Sequence, residues 1–327
     1  PLAMKSLEIW KDLNRELGAE TGFRPTGLLY VTTRPADFAQ WEEWTLRARE
    51  YQLHSHVLSP AEAKAMTPGS TGDWIGGVHS PNDGRAEPSL ASPALAEGAR
   101  KLGATIHQNC AVRGLDIAAG KVAGVITERG VIRATAVLCA GGAWSSLFLR
   151  RHGLRLPQAG VRSTSFATTA APEVTDGGLS MPDVTIRRRL DGGYTVGLGG
   201  RGTVDLSPQG LLYARQFLPT LKKRHQGLTF GIGRSFFDGP EAFARWSFDK
   251  VSPFERQRTL DPAADPKLVN QGLTKLAEHY PALKGLQVAR SWGGLIDSTP
   301  DSIPVISAVD PMPGLYLSTG YTGHGFG

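Results

Sequence analysis

Apolar residues recur at helical spacing near the start of the chain. Leu7, Trp10, Leu13 and Leu17 share one face of residues 6–17, the stripe of an amphipathic helix. A β-branched, apolar run at 27–33 reads as a strand. Phe38, Trp41, Trp44 and Ala48 then mark a second helix over 37–51. Residues 60–66 predict a short helix capped by Ser59. Residues 87–102 predict a longer one, with Pro88 in its first turn and Gly103 just past its end. The pattern next breaks into short strand-like runs at 105–108, 112–117, 122–127, 131–133 and 136–140, with turns at Ala119-Gly-Lys121 and Arg129-Gly130. Strands of a second sheet are expected within 161–199 and 228–237. Ser207 caps a helix that has Pro208 at its first position and ends or kinks near Pro219. Asp265 caps another over 266–279, which stops before Pro281. No internal repeat or long linker separates these segments, so two interleaved domains are expected.

The chemistry concentrates in glycine-rich turns. Gly320-Tyr-Thr-Gly-His-Gly-Phe-Gly327 directly follows a strand-like run at 314–319. Such a loop can turn sharply and lets backbone amides approach a flat ligand. Ala136-Val-Leu-Cys-Ala-Gly-Gly-Ala-Trp-Ser-Ser146 reads as an apolar strand, a Gly-Gly turn and a helix capped by Ser145 or Ser146. A dinucleotide-type string also occurs at Gly197-Leu-Gly-Gly-Arg-Gly202, but Thr-Val-Asp-Leu-Ser-Pro208 follows it. With no helix N-terminus to face a pyrophosphate, it reads as a sheet turn.

Composition narrows the class. The 327 residues suit about two domains, and the 40% hydrophobic content suffices for packed cores. No apolar run reaches the roughly 20 residues of a membrane span. Cys110 and Cys139 show neither metal-ligand nor redox-motif spacing and read as buried thiols in strand-like settings. The formal charge is +6, but the basic residues are scattered and the clusters Arg187-Arg-Arg189 and Lys222-Lys-Arg-His225 are short. Without a motif or interleaved aromatics, this argues against nucleic-acid binding. The residues give no reason to propose a metal site.

The two glycine segments, together with Ser291-Trp-Gly-Gly-Leu-Ile-Asp-Ser-Thr-Pro-Asp-Ser-Ile-Pro-Val-Ile306 and Gly77-Val-His-Ser-Pro-Asn-Asp-Gly-Arg-Ala-Glu-Pro88, resemble the D-amino-acid oxidase-like family of FAD-dependent oxidoreductases. This family includes glycine oxidase, sarcosine oxidase and D-amino-acid dehydrogenases. The resemblance covers essentially the whole chain. It implies an α/β fold in which a Rossmann-like FAD-binding domain is interleaved with an α+β substrate domain dominated by a mixed or antiparallel sheet. The expected division is 1–26, 85–160 and 290–327 for the first and 27–84 and 161–289 for the second. Relatives of this pattern begin with a strand, a Gly-rich turn and a helix, and continue past the Gly-His-Gly loop into a helix. The expectation is therefore a fragment with a truncated cofactor domain, binding FAD weakly or not at all by itself and lacking turnover.

The same resemblance implies site residues. Gly320, Tyr321, Thr322, Gly323, His324, Gly325, Phe326 and Gly327 would wrap the flavin, with Ala140, Gly141 and Gly142 close to it and Val112 near the adenine. Trp144 and Trp292 pack either on the cofactor or in the core. His324 is either an acid/base catalyst or a loop-shaping residue. Asp83 and Arg85 either face the flavin or substrate or form a solvated turn. The arginine that glycine oxidase-like relatives use to clamp the substrate carboxylate is replaced by Ile296, followed by Asp297. Arg234, Arg201 or Arg245 would then supply the cation. Gly294 stands where sarcosine oxidase-like relatives carry a flavin-linking cysteine, so FAD is expected to be non-covalent.

The implied reaction is oxidation of the C–N bond of a D-amino acid, N-methyl amino acid or related amine to an imine, by hydride transfer to FAD. Electrons would pass to O2, a quinone or an acceptor protein. The alternatives are a partner-linked dehydrogenase of an opine or D-hydroxyproline, and a non-catalytic or tRNA-modification-associated flavin module. A cytoplasmic location is expected, with peripheral membrane association left open.

Overall fold

The structure is a computed structural model that describes residues 2–224, 227–232 and 236–324. Three sheets carry the fold. The first part of the chain supplies β1 (Leu28–Thr32), β2 (His56–Leu58) and β3 (Gly76–Ser80), with helices α1 (Leu2–Leu17), α2 (Pro35–Glu50), α3 (Pro60–Ala65) and α4 (Pro88–Lys101) around them. A meander follows, β4 (Val112–Ala118), β5 (Lys121–Thr127) and β6 (Gly130–Arg133), forming its own three-stranded antiparallel sheet. Next come β7 (Val137–Cys139), α5 (Ser145–Arg151), β8 (Ala159–Thr168), β9 (Gly178–Ser180), β10 (Thr185–Arg188), β11 (Tyr194–Gly197) and β12 (Gly202–Asp205). The remainder supplies α6 (Pro208–Arg224), β13 (Leu228–Gly231), α7 (Pro253–Arg256), α8 (Pro266–His279), β14 (Val288–Ser298), β15 (Val305–Ala308) and β16 (Leu315–Thr319).

Ten strands make one mixed sheet in the order β13-β12-β8-β11-β10-β9-β1-β3-β2, with β14 paired to β8. The third sheet, β15-β16-β7, has β16 parallel to β7. The β14 pairing runs from Ala159↔Ser298 to Thr168↔Val288. By pairing, β14 therefore belongs to the large sheet along its whole length, and the chain leaves that sheet only after Ser298.

The large sheet has two unlike faces, as period-2 alternation requires. Leu29, Val31, Phe166, Leu179, Ile186 and Val196 point into one core, closed by Val269 and Leu276 of α8. Gly272 lets that helix approach: a Cβ there would come within 2.7 Å of the Phe166 ring. Registered neighbours on the other face are small or polar, with Ser165 beside Gly197 and Trp292, and Thr195 beside Arg187. A second core lies under the small sheets, around Leu115, Leu149, Leu315 and Leu317.

Local signals were met where local bonds decide. Ser59 makes a full capping box with Glu62, and Asp265 caps α8 through the Lys267 amide. Ser207 Oγ accepts from the Gly210 amide at 2.9 Å. The Gly197–Gly202 string is the connection between β11 and β12, as read.

Four expectations are corrected. Residues 105–108 form no strand, because no neighbour pairs with them. Neither Ser145 nor Ser146 caps α5: a 3-10 turn, Gly142–Trp144, runs straight into the helix, and the Ser146 hydroxyl instead donates to Leu156 O at 2.8 Å. The helix after Ser207 passes Pro219 and reaches Arg224. Cys139 is buried, but Cys110 is half-exposed and precedes the strand.

Two buried polar contacts give stability predictions. Arg113 on β4 grips Glu255 of α7 through Nη2 at 2.6 Å and Nε at 3.1 and 3.2 Å, and its hydrogen bonds hold that carboxyl down to about 2. Glu255 also accepts from the Ser252 amide and hydroxyl. Glu255→Ala strands the guanidinium, and about 2 kcal/mol of destabilisation is expected at this partly screened position. Denaturant unfolding checks it; an unchanged midpoint would show that the pair contributes nothing.

His152 Nε2 accepts the Leu115 amide at 3.1 Å. Burial, reinforced by the Arg151 charge, pushes its pKa down to about 4. The unfolded chain takes up the same proton near 6.5, so the native state binds fewer protons between the two values. This contribution is complete above pH ~6.5 and is lost as pH falls toward 4. It amounts to about 1–2 kcal/mol once partial solvent screening is allowed for. The slope of melting temperature against pH in that window should flatten in His152→Gln, which keeps an acceptor for the Leu115 amide.

Candidate active site

Parallel pairing of β7 and β16 puts two glycine turns side by side, because both strands end on the same edge. After β7 the chain passes Ala140 and Gly141 to Gly142, which holds φ +52°. After β16 it passes Gly320, at φ +76°. Both demand the left-handed region that glycine accepts without strain. A Cβ built on Gly142 or Gly323 would meet nothing within 4 Å, so both face open space.

Three polar side chains tie the turns together. Gln158 Nε2 donates to Gly142 O at 3.0 Å and lies 3.3 Å from Asp297 Oδ2, while its Oε1 accepts the Ser146 amide. Asp297 Oδ2 also receives the Gly320 amide at 2.7 Å. The Thr319 hydroxyl is 3.2 Å from both Gly142 O and Asp297 Oδ2. Gln158 and Thr319 are fully buried, so the network is shielded from competing water.

The segment beyond β16 is folded on itself. Thr322 N–H donates to Asp297 O, His324 N–H to Tyr321 O, and the Tyr321 hydroxyl meets Ser318 Oγ at 2.6 Å. The amides of Gly320, Thr322 and His324 are therefore engaged within the protein. His324 is exposed. Gly325, Phe326, Gly327 and Arg234 lie outside the described residues. Val112 opens β4 opposite Thr127, and Trp144 packs edge-on against Phe254 at 5.2 Å. Trp292 lies on the open sheet face under the Arg290 guanidinium.

That face forms the floor of a cavity of about 560 Å³, walled by Trp10 and Phe23 and including Tyr30, Ser165, Arg85 and Arg187. Arg187 donates to Ala86 O at 2.7 Å and to Thr195 Oγ1 at 3.0 Å, both neutral acceptors. Arg85 Nε donates to Asp176 O, and its Nη1 is buried without a partner. Burial lowers the pKa of both guanidiniums. Asp83 lines the same cavity and Glu87 acts electrostatically on both guanidiniums. Neither arginine is in an ion pair among the described residues, however, and two half-buried cations bonded to neutral acceptors favour an anionic ligand. Ile296 pairs with Val161, on the same face as Ser165 and Arg187, and adds an apolar side chain to that face. Arg201 lies in the β11–β12 turn, and Arg245 lines a different groove.

Three residues escaped sequence reading: Arg187, Gln158 and Asp297. Arg187 stood within a basic triplet. Its signal was the alternation Thr185-Ile-Arg187, which sets it opposite the core-facing Ile186. Gln158 and Asp297 meet across 139 positions, and nothing local announces that contact.

Among the described residues, no His, Cys, Asp and Glu group could hold a metal ion, and no helix is long and apolar enough to cross a membrane.

The fold is that of an α/β flavoprotein oxidoreductase. The family described as FAD dependent oxidoreductase matches residues 1–327, and the chain belongs to it. It is similar to mitochondrial sarcosine dehydrogenase of Mus musculus, 31% identical over 180 residues covering 53% of this chain and 19% of that protein. Mitochondrial dimethylglycine dehydrogenase of the same organism is 24% identical over 97% of this chain and 33% of its own length. The chain thus spans a fifth to a third of these curated relatives. Among solved structures, L-amino acid deaminase from Proteus myxofaciens in complex with anthranilate superposes with a TM-score of 0.92. It is 27% identical, over 100% of this chain and 74% of that one.

Proposed function

We propose that the protein oxidises the C–N bond of an amino carboxylate, a D-amino acid, an N-methyl amino acid or a related amine, using non-covalent FAD. The observation that carries this reading is the Gln158–Asp297–Thr319 network, which holds two glycine turns together; the cavity bearing Arg85 and Arg187 adds a second support. Open space before Gly142 and Gly323 suits a flat ring that a side chain would obstruct. When bound, FAD supplies the hydride acceptor for the carbon bearing the substrate nitrogen.

The residues do the rest. Arg187 and the Arg85 Nη1 receive the carboxylate, and Trp10, Phe23 and Tyr30 shield the ligand from water. Fixing the carboxylate at one end orients the amine toward the glycine turns. Asp297 and Gln158 set the distance between those turns. His324 acts through the shape of its loop, since removing hydride from a neutral amine requires no strong base. A similar solved structure, an L-amino acid deaminase in complex with anthranilate, an amino carboxylate, supports the ligand class.

The proposed cofactor region combines 1–26, 85–160 and 290–327, and the proposed substrate region 27–84 and 161–289. O2, a quinone or an acceptor protein takes the electrons; a partner-linked dehydrogenase of opines or D-hydroxyproline is the variant of this reading with a protein acceptor. Anaerobic bleaching of flavin-loaded protein by a panel of D-amino acids, sarcosine and opines tests the substrate class. No bleaching by any amino carboxylate would overturn it. Acid precipitation should release all the yellow colour, and colour retained in the pellet would refute non-covalent binding.

A further inference from the structure

A second groove, of about 1300 Å³, lies away from the cavity and is built from α5, the start of α6 and the segment before α7. Arg150, Arg151, Arg155 and Arg245 converge on it. Several arginines elsewhere find carboxylates: Arg24 pairs with Glu20, Arg113 with Glu255 and Arg258 with Glu128. Among the described residues none of these four is in an ion pair. Arg150 is held by the neutral acceptors Gln209 Oε1 and Ala242 O, each at 3.1 Å, and its Nε is buried without a partner. The buried Tyr213 hydroxyl, close enough to act electrostatically on Arg150, is also without one. Arg151 donates to Trp246 O and stacks over Phe248 at 4.5 Å, which fixes its position and leaves its charge in place.

The same groove carries apolar side chains among these arginines. Leu147 and Trp246 are buried in its floor, while Phe243 is 69% exposed and Leu212 43% exposed at its rim. An exposed apolar rim beside clustered cations matches a ligand with an anionic head and an apolar chain. The Glu241 carboxylate acts electrostatically on Arg150, so the charge left for a ligand is that of Arg151, Arg155 and Arg245. A soluble dianion would leave the apolar wall unused, and a neutral lipid would leave those guanidiniums without an anion.

We propose that this groove binds a single anionic amphiphile, its carboxylate or phosphate head on Arg151, Arg155 and Arg245 and its chain against Leu147, Phe243 and Trp246. The site is independent of the flavin reading, because none of these residues belongs to the cavity or the glycine turns. Arg150 does reach that region indirectly: Gln209, which accepts from it, donates to Gln158 O at 2.7 Å.

The test titrates dodecanoate, below its micelle concentration, into the 327-residue protein by calorimetry, with dodecanol and inorganic phosphate as tail-only and head-only controls. Saturable one-to-one binding is expected, at least tenfold tighter than either control. The exposed double variant Arg155→Gln/Arg245→Gln should weaken it at least tenfold with an unchanged melting temperature, and Phe243→Ser should weaken it separately. Arg133→Gln, a paired arginine elsewhere, should leave it alone. Binding that ignores both groove variants, or phosphate binding as tightly as dodecanoate, would overturn the proposal. In a second arm, sedimentation with phosphatidylglycerol vesicles but no uptake of monomeric dodecanoate would also overturn it, showing a flat membrane surface in place of a ligand groove.

Discussion

Arg187→Leu is expected to raise KM for an amino-carboxylate substrate about 100-fold, the loss that follows when a buried charge-assisted grip is removed. The side chain faces a cavity of about 560 Å³ and bonds two neutral acceptors, so its charge remains available to a ligand. Arg187→Lys keeps the charge but loses the two-pronged geometry, and an intermediate KM is expected. The distinguishing control is an amine substrate without a carboxylate, whose turnover should change little. Equal losses for both substrates would mean that Arg187 only supports the sheet. Steady-state kinetics on flavin-loaded enzyme, with flavin content measured for each variant, reads the difference.

Asp297→Ala is expected to loosen both glycine turns at once. Its Oδ2 receives the Gly320 amide and lies within hydrogen-bond distance of Thr319 Oγ1 and Gln158 Nε2. Removing the acceptor leaves the buried Gly320 amide unpaired, at about 1–3 kcal/mol. The melting temperature should fall and the FAD dissociation constant should rise about tenfold or more. Asp297→Asn retains one acceptor oxygen and should restore much of both. Titration of flavin fluorescence measures the second quantity. Unchanged FAD affinity in a clearly destabilised Asp297→Ala protein would separate the network from the cofactor and remove the central support for the proposed site.

Legibility followed the range of the interactions. Ser59, Ser207 and Asp265 were readable as caps because each side chain bonds an amide two or three residues on. The strand after which Gly141-Gly142 turns was readable from its own apolar run, as was the one before Gly320. The amphipathic stripe of α1 needs no knowledge of its partner either. The resemblance, carried by ordered motifs, reached the family; the parallel pairing that sets the two glycine segments side by side came from the structure.

The sequence by itself therefore determined most of the longer helices, the caps at Ser59, Ser207 and Asp265, the turn at Gly141-Gly142 and the family, since these rest on contacts within a few residues or on motifs in order. The capping of α5, the end of α6 and the short α7 escaped it. Tertiary structure alone decided the rest. Residues 105–108 looked like a strand and are none, because strand formation requires a neighbour and none reaches them. Cys110 escapes burial for want of a covering element. Full-length pairing of β14 with β8 turned Ile296 onto the open face, and pairing of β10 with β9 and β11 set Arg187, a residue in an ordinary basic triplet, in the cavity with Arg85. Asp297 and Gln158 gained their roles only when β14 and the turn after β7 came together across more than a hundred residues. An alternating strand specifies which side chains share a face, but which strand lies beside it, and what then covers that face, depends on long-range packing that no local pattern encodes.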